Sequence, residues 1–496
     1  MAESSQKDAE RLSASIQENL VYFRGTFDES ADFLIREFKL SGTPSFLMTI
    51  DNLVDKQTIA QSIMNPLLSA PLLDLEPMQK LRSIRNVLST VDQRQVYTKT
   101  EVLSLLMSGF AILALDGCDV MIAIGVQGFP YRTIAESDEL MQNGSREGFV
   151  EVLQINLSML RRRIKSPMLK FETMTIGSES NTMVALCYLR DRVSPEALRL
   201  LKKNLAAVDL QTLLASDYLL PYLERPSVFS GIGETDRPDT VCGKITEGRI
   251  VILVDGTPHV LIVPYLFIEN FQTFDDYAYR PFYATMVRWI KYLSFFIATF
   301  LPGVFVAAAT FAPELIPPAL LGKIAQAEAE TPFTIFVEVL LLNFIYEIMR
   351  EAGLRVPKTL SHAVSIVGAL VIGDAAVNAG LIGAPTLMVI ALTALASYVT
   401  PKIYEPLSFL RMLFILVGGV IGIGGIIVGF GVIIVNMCAK SVYHIPITAP
   451  ISPFSAKSMR DVLFRANWRS MAKDPMEVQR MPGSNIAAQN HITKDK

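Results

Sequence analysis

The residues of this chain best suited to chemistry are polar side chains that interrupt long apolar stretches in its second half. Five stand out by type and position, namely Glu338, Asn343, Glu347, Asp374 and Asn378. Polar and ionisable groups inside a membrane are costly, and they normally face a bundle interior or a water-filled path. We therefore regard these five residues as candidate pore or gating residues.

Helical spacing groups three of these residues on one segment. At about 100° per residue, Asn343 and Glu347 fall on one face of a helix, whereas Glu338 points nearly opposite. The face of Asn343 and Glu347 is a candidate lining of a pore. The alternative is that Glu347 pairs with Arg350 near the membrane interface.

Asp374 and Asn378 are four residues apart, which places both on one face of another helix. This polar face is the second candidate for lining a pore or an ion path. The alternative is that the two side chains form hydrogen bonds across helices.

Motifs of enzymes, metal sites and nucleic-acid binding are absent from the sequence. It contains no GxxxxGK[ST], HExxH or GxSxG motif. The four histidines and four cysteines are scattered without a CxxC pair, and the net charge is −3. We therefore predict no catalytic residue, no metal site, no cofactor and no nucleic-acid partner.

The candidate residues lie in a strongly apolar region, 287–436, which predicts an α-helical polytopic membrane domain. Hydrophobic residues make up 51% of the chain and charged residues 19%. A span needs about 20 apolar residues. Four to five spans are expected, at 287–311, 332–349, 362–382, 385–399 and 412–436. The segment 332–349 is short and contains polar residues. Three placements are therefore open: it crosses the membrane, re-enters it, or lies in its plane.

The last predicted span is rich in glycine, with GxxxG spacings at Gly418/Gly422 and Gly425/Gly429. Such spacings permit close approach of helix backbones. We expect these four residues to pack helices within or between subunits. The alternative is that they only tolerate a bend.

Positive charge marks the cytoplasmic side of a membrane protein. Lys402 and Arg411 agree with a cytoplasmic start and full crossings up to that point. The basic tail 437–496 disagrees, because from Lys440 onward it has nine Lys/Arg against four Asp/Glu, yet five crossings would place it outside. The side of the tail is left open by the sequence.

The first half is predicted to be an α+β cytoplasmic region of two subdomains. It begins with a polar segment, 1–30, that contains no apolar run suited to a signal peptide. Asp-Gly turns between β-rich runs predict hairpins at 111–126 and 249–264, and their similar setting indicates subdomains of related build, 31–140 and 141–280.

Other elements of the first half are also predicted. The first strand is expected at 44–51, with later strands at 169–176 and 182–189. Arg161, Arg162 and Arg163 end a predicted amphipathic helix, where cations suit the helix dipole. A solvated helix end is the simpler interpretation of these arginines, and an anionic partner is the alternative.

Three sequence blocks resemble the A subunits of the GerA-type germination receptors of endospore-forming bacteria. The blocks are 144–172 (GSREGFVEVLQINLSMLRRRIKSPMLKFE), 247–264 (EGRIVILVDGTPHVLIVP) and 350–385 (REAGLRVPKTLSHAVSIVGALVIGDAAVNAGLIGAP). The sequence departs from the family pattern at 272–277, Ser145 and His362. A paralogue encoded with the stage V sporulation A proteins shares these blocks.

The resemblance implies a subunit of a nutrient receptor in the spore inner membrane, with its first half in the cytoplasm. It implies assembly with a polytopic B subunit and a lipoprotein C subunit, within membrane lipid. It also implies that copies of the chain oligomerise into a ligand-gated cation channel that triggers germination. Alternatives from other classes are a non-conducting scaffold and a secondary transporter, although no inverted repeat is visible in the membrane half.

Overall fold

The computed structural model describes a soluble α+β half followed by a helical, apolar half. Described are residues 10–28, 30–69, 75–128, 135–137, 139, 144–355, 375–473, 476–481 and 484. The predicted fold class is confirmed. Asp374 and most of the predicted span 362–382 lie outside the described residues.

The first subdomain is built on a five-stranded antiparallel sheet. Its strands are β1 (Phe33–Leu40), β2 (Thr43–Ile50), β3 (Gln93–Val96), β4 (Phe110–Leu115) and β5 (Met121–Gly125). They are arranged in the order β1-β2-β4-β5-β3. Helices α1 (Ile16–Thr26), α2 (Pro77–Val87) and α3 (Lys99–Leu106) cover this sheet. The polar segment 1–30 thus includes a helix whose Leu20 and Phe23 are part of the core.

The second subdomain repeats this arrangement. Its strands are β6 (Leu169–Ile176), β7 (Thr182–Leu189), β8 (Gly233–Thr235), β9 (Ile250–Val254) and β10 (Val260–Val263). Their order, β6-β7-β9-β10-β8, is the same as in the first sheet. The accompanying helices are α4 (Leu153–Arg163), α5 (Pro195–Ala206) and α6 (Pro238–Thr246). In both subdomains a helix precedes the central hairpin, so the predicted related build is confirmed.

Both predicted Asp-Gly hairpins are present, as β4–β5 and β9–β10. The strands predicted at 169–176 and 182–189 are also confirmed. The predicted first strand, 44–51, is instead the second, because β1 precedes it and pairs with it. Strand β1 is an edge strand with charged residues at exposed positions. These charges interrupt its apolar pattern, so the strand was not predicted.

A buried ion pair joins the two subdomains. Arg161, at the end of α4, is fully buried and donates two hydrogen bonds of 2.8 Å to the carboxylate of Asp32, which precedes β1. The prediction of a solvated helix end is therefore wrong for Arg161, whose anionic partner lies within the chain. Arg162 and Arg163 pair with Glu147 at the surface of the second subdomain, and together they lower the pKa of Glu147 against the opposing effect of burial.

The apolar half contains six helices of eight or more residues within the described range. They are α7 (Pro281–Phe311), α8 (Pro318–Glu330), α9 (Ile335–Arg355), α10 (Ala384–Val399), α11 (Tyr404–Ile421) and α12 (Ile423–Ala439). Two helical stretches are long and apolar enough to cross a membrane. They are α7 and Pro401–Ile421, which is α11 together with the helical turn before it. Helices α8 and α9, bent by 81°, would form a third span together, and α10 and α12 are shorter apolar helices.

Shorter elements complete the described chain. They are the helical turns Asp51–Leu53, Lys56–Thr58, Ile59–Met64, Asn65–Ser69, Ser216–Leu219, Leu220–Leu223, Phe267–Phe271, Phe274–Ala278, Pro313–Leu315, Pro401–Ile403, Ser458–Asp461, Trp468–Lys473 and Val478–Arg480, and the strand pairs Ala135–Glu136/Glu147–Gly148 and Ser441–Val442/Ile445–Pro446.

The predicted single span 412–436 is wrong, because Gly422 divides it into a helical hairpin. Gly422 has a φ of +75°, a conformation that suits glycine, and it lies beside Phe311 at the far end of α7. Helix α12 then packs back along α11, with Gly429 against Phe414. Hydropathy alone does not reveal this turn, because the residues on both sides of it are equally apolar.

The hairpin returns the tail to the side of the soluble half. Lys440, which follows α12, donates a hydrogen bond of 2.9 Å to Glu224. Tyr443 is part of the core of the second subdomain, and the backbone N–H of Val478 donates to the carbonyl of Glu247 at 2.9 Å. An even number of membrane crossings between the soluble half and the tail is therefore expected.

This topology predicts the labelling of single introduced cysteines by a membrane-impermeant maleimide, in a background carrying Cys242→Ser and Cys438→Ser, which leaves only the buried Cys118 and Cys187. Ala456→Cys in the tail should react from the same side of the membrane as Ala207→Cys in the soluble half. Glu314→Cys, beyond the end of α7, should react only from the opposite side. Labelling of Ala456→Cys together with Glu314→Cys would contradict the hairpin.

Candidate functional site

The candidate site is a polar cluster between α9, α10 and α11, centred on Glu347. Its carboxylate accepts hydrogen bonds from Arg411 at 2.5 Å, Ser408 at 2.6 Å and Tyr404 at 2.7 Å. Glu347 is on α9, whereas its three partners are all on α11. These donors give the carboxylate hydrogen-bond partners between apolar helices, where water is excluded.

Arg411 is the cationic centre of the cluster and has no exposed surface. Besides Glu347, it donates to the hydroxyl of Ser397 on α10 at 3.0 Å, and it lies 5.1 Å from the ring centre of Tyr346. Its Nε has no hydrogen-bond acceptor among the described residues. One guanidinium thus joins three membrane helices.

The alternative pairing of Glu347 with Arg350 is not what the structure shows. The Arg350 guanidinium lies 3.2 Å above the ring centre of Tyr404, so it covers the cluster from one side. Cation and ring attract each other because the face of an aromatic ring is electron-rich. Tyr404 therefore links both arginines to Glu347.

Glu338 belongs to a different site at the opposite end of α9. It is nine residues from Glu347, or about 13 Å along a helix. It is buried, and its carboxylate accepts hydrogen bonds from the hydroxyl of Thr386 at 2.7 Å and the backbone N–H of Gly383 at 3.2 Å. A carboxylate here also suits the positive end of the α10 dipole. Glu338 thus holds the beginning of α10 against α9.

The remaining polar candidates are placed differently. Asn343 is buried, and its side-chain Nδ2 has no acceptor among the described residues. Asn378 is exposed, two residues before the positive-φ Gly380. Asp374 lies outside the described residues, so its predicted face with Asn378 stays a prediction.

Sequence reasoning missed Arg411, Tyr404 and Ser408. Arg411 was interpreted as a charge flanking a span that begins at 412, whereas α11 begins at Tyr404 and includes it. A charged residue directly before a long apolar run was the available signal. The pairing of Arg411 with Glu347 could not be predicted from a local pattern, because the two residues are 64 positions apart in the sequence.

The predicted packing glycines occupy three different settings. Gly418 lies against Gly303 of α7 so closely that a Cβ on either residue would collide with the opposite backbone. Gly425 and Gly429 face Val417 and Phe414 of α11. Gly422 is the turn between α11 and α12 rather than a contact within a helix. Within the described chain, the packing by Gly418, Gly425 and Gly429 lies inside one subunit.

A second polar cluster lies where α7 meets the soluble half. Arg288, fully buried on α7, lies 3.3 Å from carboxylate oxygens of both Asp276 and Asp461, and Lys291 lies 2.9 Å from Asp276. Burial raises the pKa of Asp461, although Arg288 and Tyr277 oppose that effect. Asp461 belongs to the tail, so this cluster joins α7, the end of the soluble half and the tail.

Two further ion pairs connect the soluble half with the ends of membrane helices. Lys402, between α10 and α11, lies 3.0 Å from Glu139. Lys440, after α12, lies 2.9 Å from Glu224.

The described residues contain no group of His, Cys, Asp or Glu suited to hold a metal ion. The chemistry that this arrangement supports is reversible ion pairing at helix ends.

The Glu347 cluster predicts a strong dependence of stability on both partners. Glu347→Ala leaves Arg411 buried without its counter-charge, which should destabilise the chain by about 3–5 kcal/mol. Removing both charges in Glu347→Leu/Arg411→Met should restore much of that loss. The measurement is the thermal stability of the purified full chain in detergent.

Glu351→Ala is the matched control for this experiment. Glu351 is on the same helix, but its side chain is 55% exposed in an ion pair with Arg355. Exposed pairs contribute about 0–1 kcal/mol, so this variant should resemble the unmodified chain. Equal effects of Glu347→Ala and Glu351→Ala would argue against a special role for the cluster.

Comparison with known proteins places the chain in a family. The profile described as Bacillus/Clostridium GerA spore germination protein matches residues 21–477. The chain is 37% identical over 492 residues to Spore germination protein KA of Bacillus subtilis, covering 96% of this chain and 89% of that protein. It is 27% identical over 397 residues to Stage V sporulation protein AF of the same organism, covering 79% and 80%.

A solved structure also matches part of the chain. It is the crystal structure of the N-terminal domain of the A subunit of the Bacillus megaterium spore germinant receptor GerK3, with 28% identity, a TM-score of 0.41, and coverage of 52% of this chain and 97% of that one. The family profile spans both the soluble and the membrane half. The chain therefore belongs to the GerA family of spore germination proteins.

Proposed function

We propose that this chain is the A subunit of a nutrient receptor in the spore inner membrane, and that copies of it form a cation channel opened by the germinant. Family membership supports a role in spore germination. The observation that carries the channel proposal is the Glu347–Arg411 pair, a charge contact between half-buried Glu347 on α9 and fully buried Arg411 on α11. Such a pair is a means of holding helices in one of two arrangements.

In the proposed mechanism, the Glu347–Arg411 pair holds the closed state. Opening separates α9 from α11, and the freed carboxylate then faces the water-filled path that monovalent cations follow out of the spore core. A germinant can shift this equilibrium only as far as its affinity differs between the closed and open states. Asn378, which is exposed, and Asp374 are the proposed lining of the path itself.

The soluble half transmits the signal in this proposal. Ion pairs of Glu139 with Lys402 and of Glu224 with Lys440 connect it to the ends of α10, α11 and α12. A movement of the soluble half would therefore displace α11, the helix that carries Arg411. The proposed partners are a polytopic B subunit that binds the nutrient and a lipoprotein C subunit, with the soluble half in the cytoplasm.

A non-conducting scaffold is the second candidate. It is favoured by the internal hydrogen bonds of Glu338 and Glu347, which in this state occupy both carboxylates. Under the scaffold, replacing these residues would change assembly but not ion flux. The two functions therefore differ in one measurable property.

Cation efflux from spores carrying Asp374→Ala or Asn378→Ala tests the pore-lining proposal. We expect a change of several-fold in the rate of efflux after addition of nutrient, at normal abundance and assembly of the receptor. Glu351→Ala is the control and should leave efflux unchanged. Normal efflux from normally assembled Asp374→Ala and Asn378→Ala receptors would remove this face from the path and favour the scaffold.

A further inference from the structure

An apolar cavity of about 290 Å³ lies where the membrane helices meet the soluble half and the tail. Helices α7 and α12 form most of its wall, and the turn Phe267–Phe271 of the soluble half closes one side. Aromatic rings from both helices line it, namely Phe295, Phe296, Phe300 and Phe430. The cavity therefore contacts all three parts of the chain.

The lining offers little to a polar ligand. Among the described residues, no acidic or basic side chain contributes to it. The hydroxyl of Thr299 donates to the carbonyl of Phe295 at 2.8 Å, and the hydroxyl of Thr448 donates to the carbonyl of Ser452 at 2.7 Å. A polar molecule would lose its hydration here without gaining hydrogen bonds, at a cost of about 1–3 kcal/mol per group.

The size of the cavity fits a hydrocarbon chain. Apolar cavities of about 150 Å³ stay dry and bind benzene, which has six carbon atoms. A cavity of about 290 Å³ therefore has room for roughly ten to twelve carbon atoms. Burying each methylene group contributes about 0.8 kcal/mol, so even partial entry of such a chain is favourable.

The mouth of the cavity opens on the outer surface of the helix bundle. Phe296 of α7 and Ile434 of α12 line it and are also 47% and 43% exposed. Next to them, α12 presents Val428 and Val435 to the surroundings, each about two-thirds exposed. In a bilayer, the medium in contact with these side chains is the hydrocarbon of lipid.

We propose that the cavity binds one acyl chain of a membrane phospholipid, inserted between α7 and α12 from the bilayer. The acyl chain fills the space beside Phe295 and Phe267. The rings of these two residues pack edge to face at 5.8 Å and connect the first membrane helix with the soluble half. Lipid therefore becomes part of the contact between the two halves. This inference does not depend on ion conduction.

The test uses the full chain reconstituted into bilayers of phosphatidylglycerol and phosphatidylcholine that contain a phospholipid with a photoreactive diazirine in its acyl chain. After irradiation, labelled residues are mapped by mass spectrometry. We expect residues Phe295 to Phe300 and Phe430 to be labelled at least as strongly as the lipid-exposed Val428 and Val435. The reason is that an acyl chain packed inside the cavity holds its diazirine next to these residues.

Two substitutions on α12 separate the cavity from the open lipid surface. Ile433→Trp fills the cavity and should lower the labelling of Phe300 at least fivefold. Val435→Trp is the control, because it adds the same ring to the same helix outside the cavity. It should leave the labelling of Phe300 unchanged.

Two outcomes would overturn the proposal. The first is labelling of Phe300 in the unmodified chain far below that of Val435, which does not depend on the folding of any variant. The second is equal labelling of Phe300 in the two tryptophan variants.

Discussion

Arg288 is fully buried at the base of the first membrane helix, and the placement of the membrane helices, the soluble half and the tail depends on its partners. A guanidinium removed from water is tolerated only when carboxylates and carbonyls of the protein replace the lost hydration. Asp276 at the end of the soluble half and Asp461 of the tail supply them. The carbonyl of Asp461 accepts a further hydrogen bond from Arg288 at 2.5 Å. The three parts of the chain must therefore meet at this point.

The same physical arrangement recurs at two other joints. Arg161 joins the two subdomains through Asp32, and Arg411 joins three membrane helices through Glu347 and Ser397. In each case one buried arginine bridges units that are distant in sequence. Since breaking such a pair leaves a buried charge uncompensated, these joints favour a small number of discrete arrangements over gradual deformation. That property suits the proposed role, in which the chain changes state when a germinant is present.

The sequence predicts local elements well and long-range partners poorly. The hairpins at Asp116-Gly117 and Asp255-Gly256 follow from turn chemistry, and their repetition indicates the related subdomains. The turn at Gly422 could not be recognised, because a glycine among apolar residues is typical of both a span and a hairpin. The polar candidates on α9 were identified from the free-energy cost of polar groups in lipid. The arginine that pairs with Glu347 was missed, because the span predicted from hydropathy begins at 412, eight residues after the helix itself begins. Ion pairs between distant segments depend on tertiary packing, which no local pattern encodes.

The central claim is that this chain conducts cations under the control of the Glu347–Arg411 pair. The most direct measurement is potassium release from liposomes loaded with potassium chloride and containing the purified full chain alone. The account predicts that Glu347→Gln, which keeps the shape of the side chain but removes its charge, releases potassium faster than the unmodified chain or Glu351→Gln. If none of the three releases potassium although insertion into the liposomes is verified, the claim that the chain itself forms the ion path is contradicted.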